Sequence, residues 1–183
     1  WIPAMNSRFS FLIDFVIFQI AWFCCVLATL SPIPQLLPIL GLSLVLIRTL
    51  ICRRLTQVLP FTLACLLMGV LGDASLVHLG LLSFDPYPSL FGAPLWMIAL
   101  WLNFGLMLRP LFTWFLDHCG RAIIGFSLGG LVAYYSGQKL GVLTLTIDFQ
   151  SHLGVAVEWA IAGIILRYLH LKFPINPPIN ESV

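Results

Sequence analysis

Six long, mostly apolar runs dominate this chain of 183 residues, and short polar or proline-rich stretches separate them. A helix needs about 20 apolar residues to cross the hydrocarbon core of a bilayer. The runs predict helices at 9–30, 33–52, 58–82, 94–115, 121–137 and 153–171. Apolar residues make up 60% of the chain and charged residues only 9%, too few to cover a water-facing surface. We therefore predict an all-α, polytopic membrane bundle forming one domain over 1–173, followed by a mobile tail at 174–183.

Basic residues collect on one side of the predicted bundle. Cytoplasmic ends of membrane helices collect Lys and Arg. If the N-terminus is inside, eight of the nine basic residues fall at or near cytoplasmic ends: Arg8, Arg48, Arg53, Arg54, Arg109, Arg121, Arg167 and Lys172. Only Lys139 falls outside. Both termini are therefore expected in the cytoplasm, with 53–57 and 116–120 cytoplasmic and 84–93 and 138–152 external.

Several short motifs lie between Gly69 and Gly141. They are Leu71-Gly72-Asp73, Pro94-Leu95-Trp96-Met97, Leu100-Trp101 and the pair Gly129-Gly130. Together they resemble an uncharacterised bacterial inner-membrane family that is recorded only as a domain of unknown function. The chain departs from that pattern at Leu131, where proline is expected. The resemblance implies a multi-pass protein of the bacterial inner membrane and supplies no activity.

Some functional classes are excluded by the pattern of charged and sulfur-containing residues. The basic residues are scattered between apolar runs and form no basic stripe, so no nucleic-acid partner is expected. The five cysteines form no C-x-x-C motif and no metal-ligand spacing with histidine, so neither a metal site nor a cofactor is expected. The expected partners are membrane lipids and other membrane-protein subunits.

Small residues recur every fourth position along the fifth predicted helix, at Gly125, Gly129, Ala133 and Gly137. This spacing lets two helix backbones approach closely, and such packing drives helix association in lipid. We expect this ladder to pack within the chain, with a partner subunit as the alternative. On either interpretation, Gly129→Leu is expected to disrupt packing.

Two acids lie on the outer half of the predicted bundle, Asp73 in the third helix and Glu158 in the sixth. Both occupy stripes of small residues and are expected to face the interior and each other. No basic residue is predicted at that depth, so at least one acid should hold a proton or the two should share one. Paired acids suit acid–base chemistry or proton transfer, while a structural hydrogen bond is the alternative. His78, Trp101 and Asn103 are the candidate lining of any outward-facing cavity.

Three further charged residues share a depth on the cytoplasmic half: Asp14, Arg48 and Arg109. We expect them to form ion pairs that pin their helices, with the arginines alternatively reaching towards lipid phosphates. Most of the Trp and Tyr residues near span ends, including Tyr134 and Trp159, are assigned to aromatic belts at the level of the lipid headgroups.

These features leave three hypotheses for the function. The first is an accessory or structural subunit that packs against other membrane proteins through the glycine ladder. The second is a lipid-active membrane enzyme that uses Asp73 and Glu158. The third is a small transporter, although the sequence has no inverted repeat or matched pair of broken helices.

Overall fold

A computed structural model of the chain describes residues 7–174. The tail predicted at 174–183 lies outside the described residues apart from its first position. Six α-helices are observed in the described part, as predicted: α1 Ser7–Val26, α2 Leu36–Ile51, α3 Leu55–His78, α4 Leu95–Leu116, α5 Cys119–Lys139 and α6 Asp148–Lys172. A short 3₁₀ turn, Ala28–Leu30, precedes the bend at Ser31-Pro32-Ile33-Pro34 between α1 and α2.

Four of the helices, α1, α3, α4 and α6, are long and apolar enough to cross a membrane. The helix α2 is apolar but has only 16 residues, which gives about 24 Å at a rise of 1.5 Å per residue. The helix α5 has 21 residues but carries several glycines and polar side chains, so its composition is less apolar. By length and composition, four of the six predicted helices could therefore cross a membrane.

Consecutive helices pack in pairs, and a glycine lies at the closest approach within each pair. A Cβ atom at Gly41 of α2 would lie 3.0 Å from the Ala21 carbonyl oxygen of α1. Gly105 of α4 meets the backbone of Thr62 in α3, and Gly163 of α6 meets that of Ala122 in α5. Lipid tails are as apolar as the helix surfaces, so the hydrophobic effect does not drive helices together in a membrane. Close backbone contacts stabilise the pairs instead, because they increase van der Waals packing.

The helix α4 occupies the centre of the bundle. It packs against α1, α2, α3, α5 and α6. Most of its apolar residues are buried, whereas most of those in the other three long helices are not. Large side chains such as Trp96, Trp101 and Met107 fill the space around it. The remaining helices form a shell around α4, so its side chains contribute to any interior site.

Two short antiparallel strand pairs, absent from the sequence-based prediction, join the connections at one end of the bundle. Strand β1 (Leu82–Phe84) pairs with β4 (Leu143–Leu145), and β2 (Ser89–Leu90) pairs with β3 (Ala93–Pro94). The first pair places the α3–α4 and α5–α6 connections side by side. Both connections were predicted on the same side of the membrane.

These strands account for two of the differences in helix boundaries, at the end of α3 and the start of α6. The helix α3 ends at His78 and not at 82, because Gly80 adopts a φ of +68° that turns the chain into β1. The helix α6 begins at Asp148 and not at 153. There the Ser151 hydroxyl accepts a hydrogen bond from the Ile147 backbone N–H (2.9 Å) and donates one to the Leu81 carbonyl (2.5 Å). These bonds attach the start of α6 to the strand connection.

Candidate functional site

A long apolar groove of about 740 Å³ opens between α1 and α5, with α4 behind it. Aromatic side chains form most of its walls, including Phe18 and Trp22 from α1 and Trp101 and Phe104 from α4. Its volume falls within the range of about 300–1,000 Å³ that is usual for small-molecule sites.

The glycine ladder faces this groove, because Gly125, Gly129, Ala133 and Gly137 all line it. The prediction that Gly129 packs against another helix of the same chain is wrong, since within residues 7–174 no other helix comes within 4 Å of the place where its Cβ would stand. Where α5 and α6 pack on each other, the close contacts are made at Gly130, against the Trp159 ring, and at Gly163, against the Ala122 backbone. The two ends of the ladder are covered within the chain, Gly125 by Phe115 and Gly137 by Leu143.

Asp73 lies directly behind the wall of the groove and is fully buried. The Trp101 indole N–H donates a hydrogen bond of 2.9 Å to Asp73 Oδ2, and the Tyr134 hydroxyl donates one to Oδ1. Trp101 and Tyr134 both line the groove. Trp101 also packs against Gly69, where a Cβ would collide with its ring. The carboxyl of Asp73 is thus separated from the groove by the two side chains that bind it.

Glu158 of α6 approaches the same position of α3. Its carboxyl lies against Gly72, the residue before Asp73, and any side chain at position 72 would collide with it. Glu158 is buried, and neither of its carboxyl oxygens has a hydrogen-bond partner among the described residues. The Gly72-Asp73 motif therefore supplies one acid and leaves space for the other.

No Arg, Lys or His of the described part forms a salt bridge with either acid. Asp73 uses both of its oxygens to accept hydrogen bonds, whereas Glu158 is left without a partner. A carboxyl pair of this kind can exchange a proton or bind a polar group that enters beside it. The Trp159 ring stacks on Trp101, with 4.5 Å between the ring centroids. A ligand in the groove therefore reaches either acid only if Trp101, Tyr134 or Trp159 moves.

A family model described as "Protein of unknown function (DUF2878)" matches residues 11–164. The chain belongs to this family. The match confirms the resemblance to a family of unknown function that the motifs indicated, and it covers the groove and both acids. Comparison with curated proteins gives no match, and comparison with solved structures gives none.

The ion pairs of this DUF2878 member differ from those predicted. Asp14 binds two arginines, Arg48 and Arg54, each at 2.6 Å, and both also donate to the Ser10 hydroxyl. Arg109 is not part of this cluster and was wrongly included in it. Its guanidinium lies 4.6 Å from the centre of the Phe61 ring and donates to the Phe173 carbonyl. The second arginine bound to Asp14 is Arg54, which lies in the short turn between α2 and α3. This turn places Arg54 beside Asp14.

Of the three predicted cavity-lining residues, only Trp101 lines the groove. His78 lies at the end of α3 and bonds the Ala74 carbonyl of its own helix at 2.9 Å. Asn103 is fully buried on another face of α4, where its amide N–H donates to the Cys25 sulfur at 3.3 Å.

Tyr134 was expected in an aromatic belt at the level of the headgroups, whereas in the structure it is a hydrogen-bond partner of Asp73. The buried face of α5 runs through Ala122, Phe126, Gly130, Tyr134 and Gly137. Residues spaced three or four apart share a helix face, and Tyr134 lies four residues after Gly130. Counting from Gly130 could therefore have placed Tyr134 on the buried face. The motif's second glycine, not its first, marks the face that packs on α6.

Proposed function

We propose that this protein is a multi-pass protein of the bacterial inner membrane that binds one acyl chain of a membrane lipid in the groove between α1 and α5. The apolar, aromatic groove is the observation that carries the proposal, because apolar and aromatic side chains form most of its lining and suit a hydrocarbon chain better than a polar solute. The four long apolar helices and the collection of basic residues at the proposed cytoplasmic ends support the location and the N-in, C-in orientation.

A slim chain suits the groove better than a second helix does. A partner helix that packs on a small-residue ladder must approach its backbone over several turns. Phe115 and Leu143 already cover the two ends of the ladder, so only its middle part, around Gly129, is open. We therefore favour lipid binding over the accessory-subunit role that the ladder indicated in the sequence.

Photo-crosslinking in lipid nanodiscs tests this proposal. A phospholipid carrying a photoactivatable group on its acyl chain should label groove residues such as Trp22 and Leu100. The variant Gly129→Leu places a side chain in the open part of the groove, where its Cβ meets no neighbouring helix of the described chain, and should strongly reduce that labelling. Labelling at Ile161, an exposed residue of α6, reports ordinary contact with the surrounding lipid and should not change.

The matched control is Gly120→Leu. Gly120 is also an exposed glycine of α5 with no atom within 4 Å of its Cβ position, but it lies outside the groove. Equal labelling of the groove in Gly129→Leu and Gly120→Leu would contradict the proposal. So would labelling of the groove that is no stronger than labelling at Ile161.

A lipid-active enzyme is the second candidate, because Trp101 and Tyr134 both bind Asp73 and both line the groove. A bound lipid would therefore touch the two side chains that hold the acid. Asp73→Asn keeps the shape of the side chain and removes its ability to exchange a proton. If the protein is an enzyme, cells that overproduce the parent should show an altered lipid profile by mass spectrometry and cells with Asp73→Asn should not. Identical profiles at equal protein levels would exclude this candidate.

A further inference from the structure

One end of the groove carries a positive charge. Lys139, the last residue of α5, lines the groove there, and it is the single charged residue among the described lining residues. The opposite end, around Phe15 and Phe115, is apolar. The groove is thus apolar along its length with one cation at its mouth, beside the β1–β4 connection.

The amine of Lys139 is available to a ligand. Lys139 is exposed and lies 5.2 Å from the centre of the Tyr135 ring, and it forms no salt bridge with any residue of the described part. All nine Lys and Arg residues belong to the described part, and Lys139 is the only one beside the strand connections. An anion that approaches this end of the bundle therefore meets a single unpaired cation at the entrance of an apolar groove.

Resting on the acyl-chain site proposed above, we propose that the bound lipid is an anionic phospholipid whose phosphate pairs with Lys139. It enters from the leaflet at the α5 C-terminal end. From Gly125 to Lys139 the groove follows 14 residues of α5, about 21 Å at 1.5 Å per residue. One leaflet contributes about 15 Å of hydrocarbon. A chain that starts with its headgroup at Lys139 therefore fits along the groove, past Ala133 and the open position at Gly129.

The test compares two photoactivatable lipids that carry the same acyl chain, phosphatidylglycerol and phosphatidylcholine, in nanodiscs of otherwise neutral lipid. A basic residue near the surface contributes about 1 kcal/mol to the binding of an anionic lipid, which corresponds to about a fivefold preference. Phosphatidylglycerol should therefore label the groove about five times more strongly than phosphatidylcholine. The preference should disappear in Lys139→Gln, persist in Lys139→Arg and weaken in high salt, because salt screens exposed charges.

Lys172→Gln is the matched control. Lys172 is also the last residue of its helix and is also exposed, with its amine 5.8 Å from the ring of a tyrosine four residues earlier, but it lies outside the groove. This variant should keep the preference. Equal labelling by the two lipids in the parent, or a preference that survives Lys139→Gln, would overturn the inference while leaving the acyl-chain site intact. Absence of groove labelling by both lipids would overturn the acyl-chain site and, with it, this inference.

Discussion

Replacing Gly129 and Gly130 by alanine, one at a time, compares two adjacent positions of α5 with opposite surroundings. A methyl group at Gly129 meets no atom within 4 Å, whereas one at Gly130 collides with the rigid indole ring of Trp159. Alanine is favoured over glycine within a helix by about 1 kcal/mol, and this gain applies equally to both variants. Overpacking at Gly130 costs about 1–3 kcal/mol. The free energies of unfolding should therefore differ by about 1–3 kcal/mol in favour of Gly129→Ala.

Thermal unfolding in detergent measures this difference. In a chain of this size, 1 kcal/mol shifts the melting temperature by about 2–4 °C. Gly129→Ala should melt about 2–4 °C above the parent, and Gly130→Ala should melt below Gly129→Ala by roughly 2–12 °C. The parent serves as the common reference, and both variants should give the same helix content by circular dichroism. A loss of stability in Gly129→Ala as large as that in Gly130→Ala would refute the assignment of Gly130 to the packed face and Gly129 to the open groove.

Three further outcomes are expected. Tyr134→Phe removes a hydrogen-bond donor to buried Asp73 and should lower the unfolding free energy by about 1–3 kcal/mol. The control Tyr135→Phe, at an exposed neighbour, should leave the melting temperature nearly unchanged. Equal effects of the two variants would contradict the assigned hydrogen bond. Asp14→Asn leaves two arginines without their carboxylate and should lower the melting temperature; an unchanged value would show that the cluster adds no stability. Single cysteines within 84–93 should react with an impermeant reagent on intact cells and those within 53–57 should not; the opposite pattern would invert the proposed topology.

The number of helices was predictable because each one is an apolar run bounded by polar or proline-rich residues. The boundaries at 78 and 148 were not, because they depend on strand pairing between segments that are far apart in the sequence. Strands of two or three residues give no periodic signal, so their pairing depends on which connections the fold brings together.

The candidate site was predictable in part. A carboxyl within an apolar helix is unusual enough to single out Asp73 and Glu158, and the structure places both in the interior beside Gly72. The groove was not predictable, since a row of small residues indicates close packing and an open cavity equally well. Whether the row is packed or open depends on large side chains from other helices, such as Phe115. The four-residue spacing of small residues on α5 contains no information about those side chains.

The pairing of β1 with β4 also affects the order in which the chain acquires its structure during synthesis. Leu82 pairs with Leu145, 63 residues later in the chain (145 − 82). At about 5–20 residues per second, the ribosome needs roughly 3–13 s to add those residues. During this interval the edge of β1 has no β4 to pair with, while α4 and α5 are being made. The strand pair therefore forms only after the first five helices are complete, and a nascent chain arrested before residue 143 should expose β1 to protease.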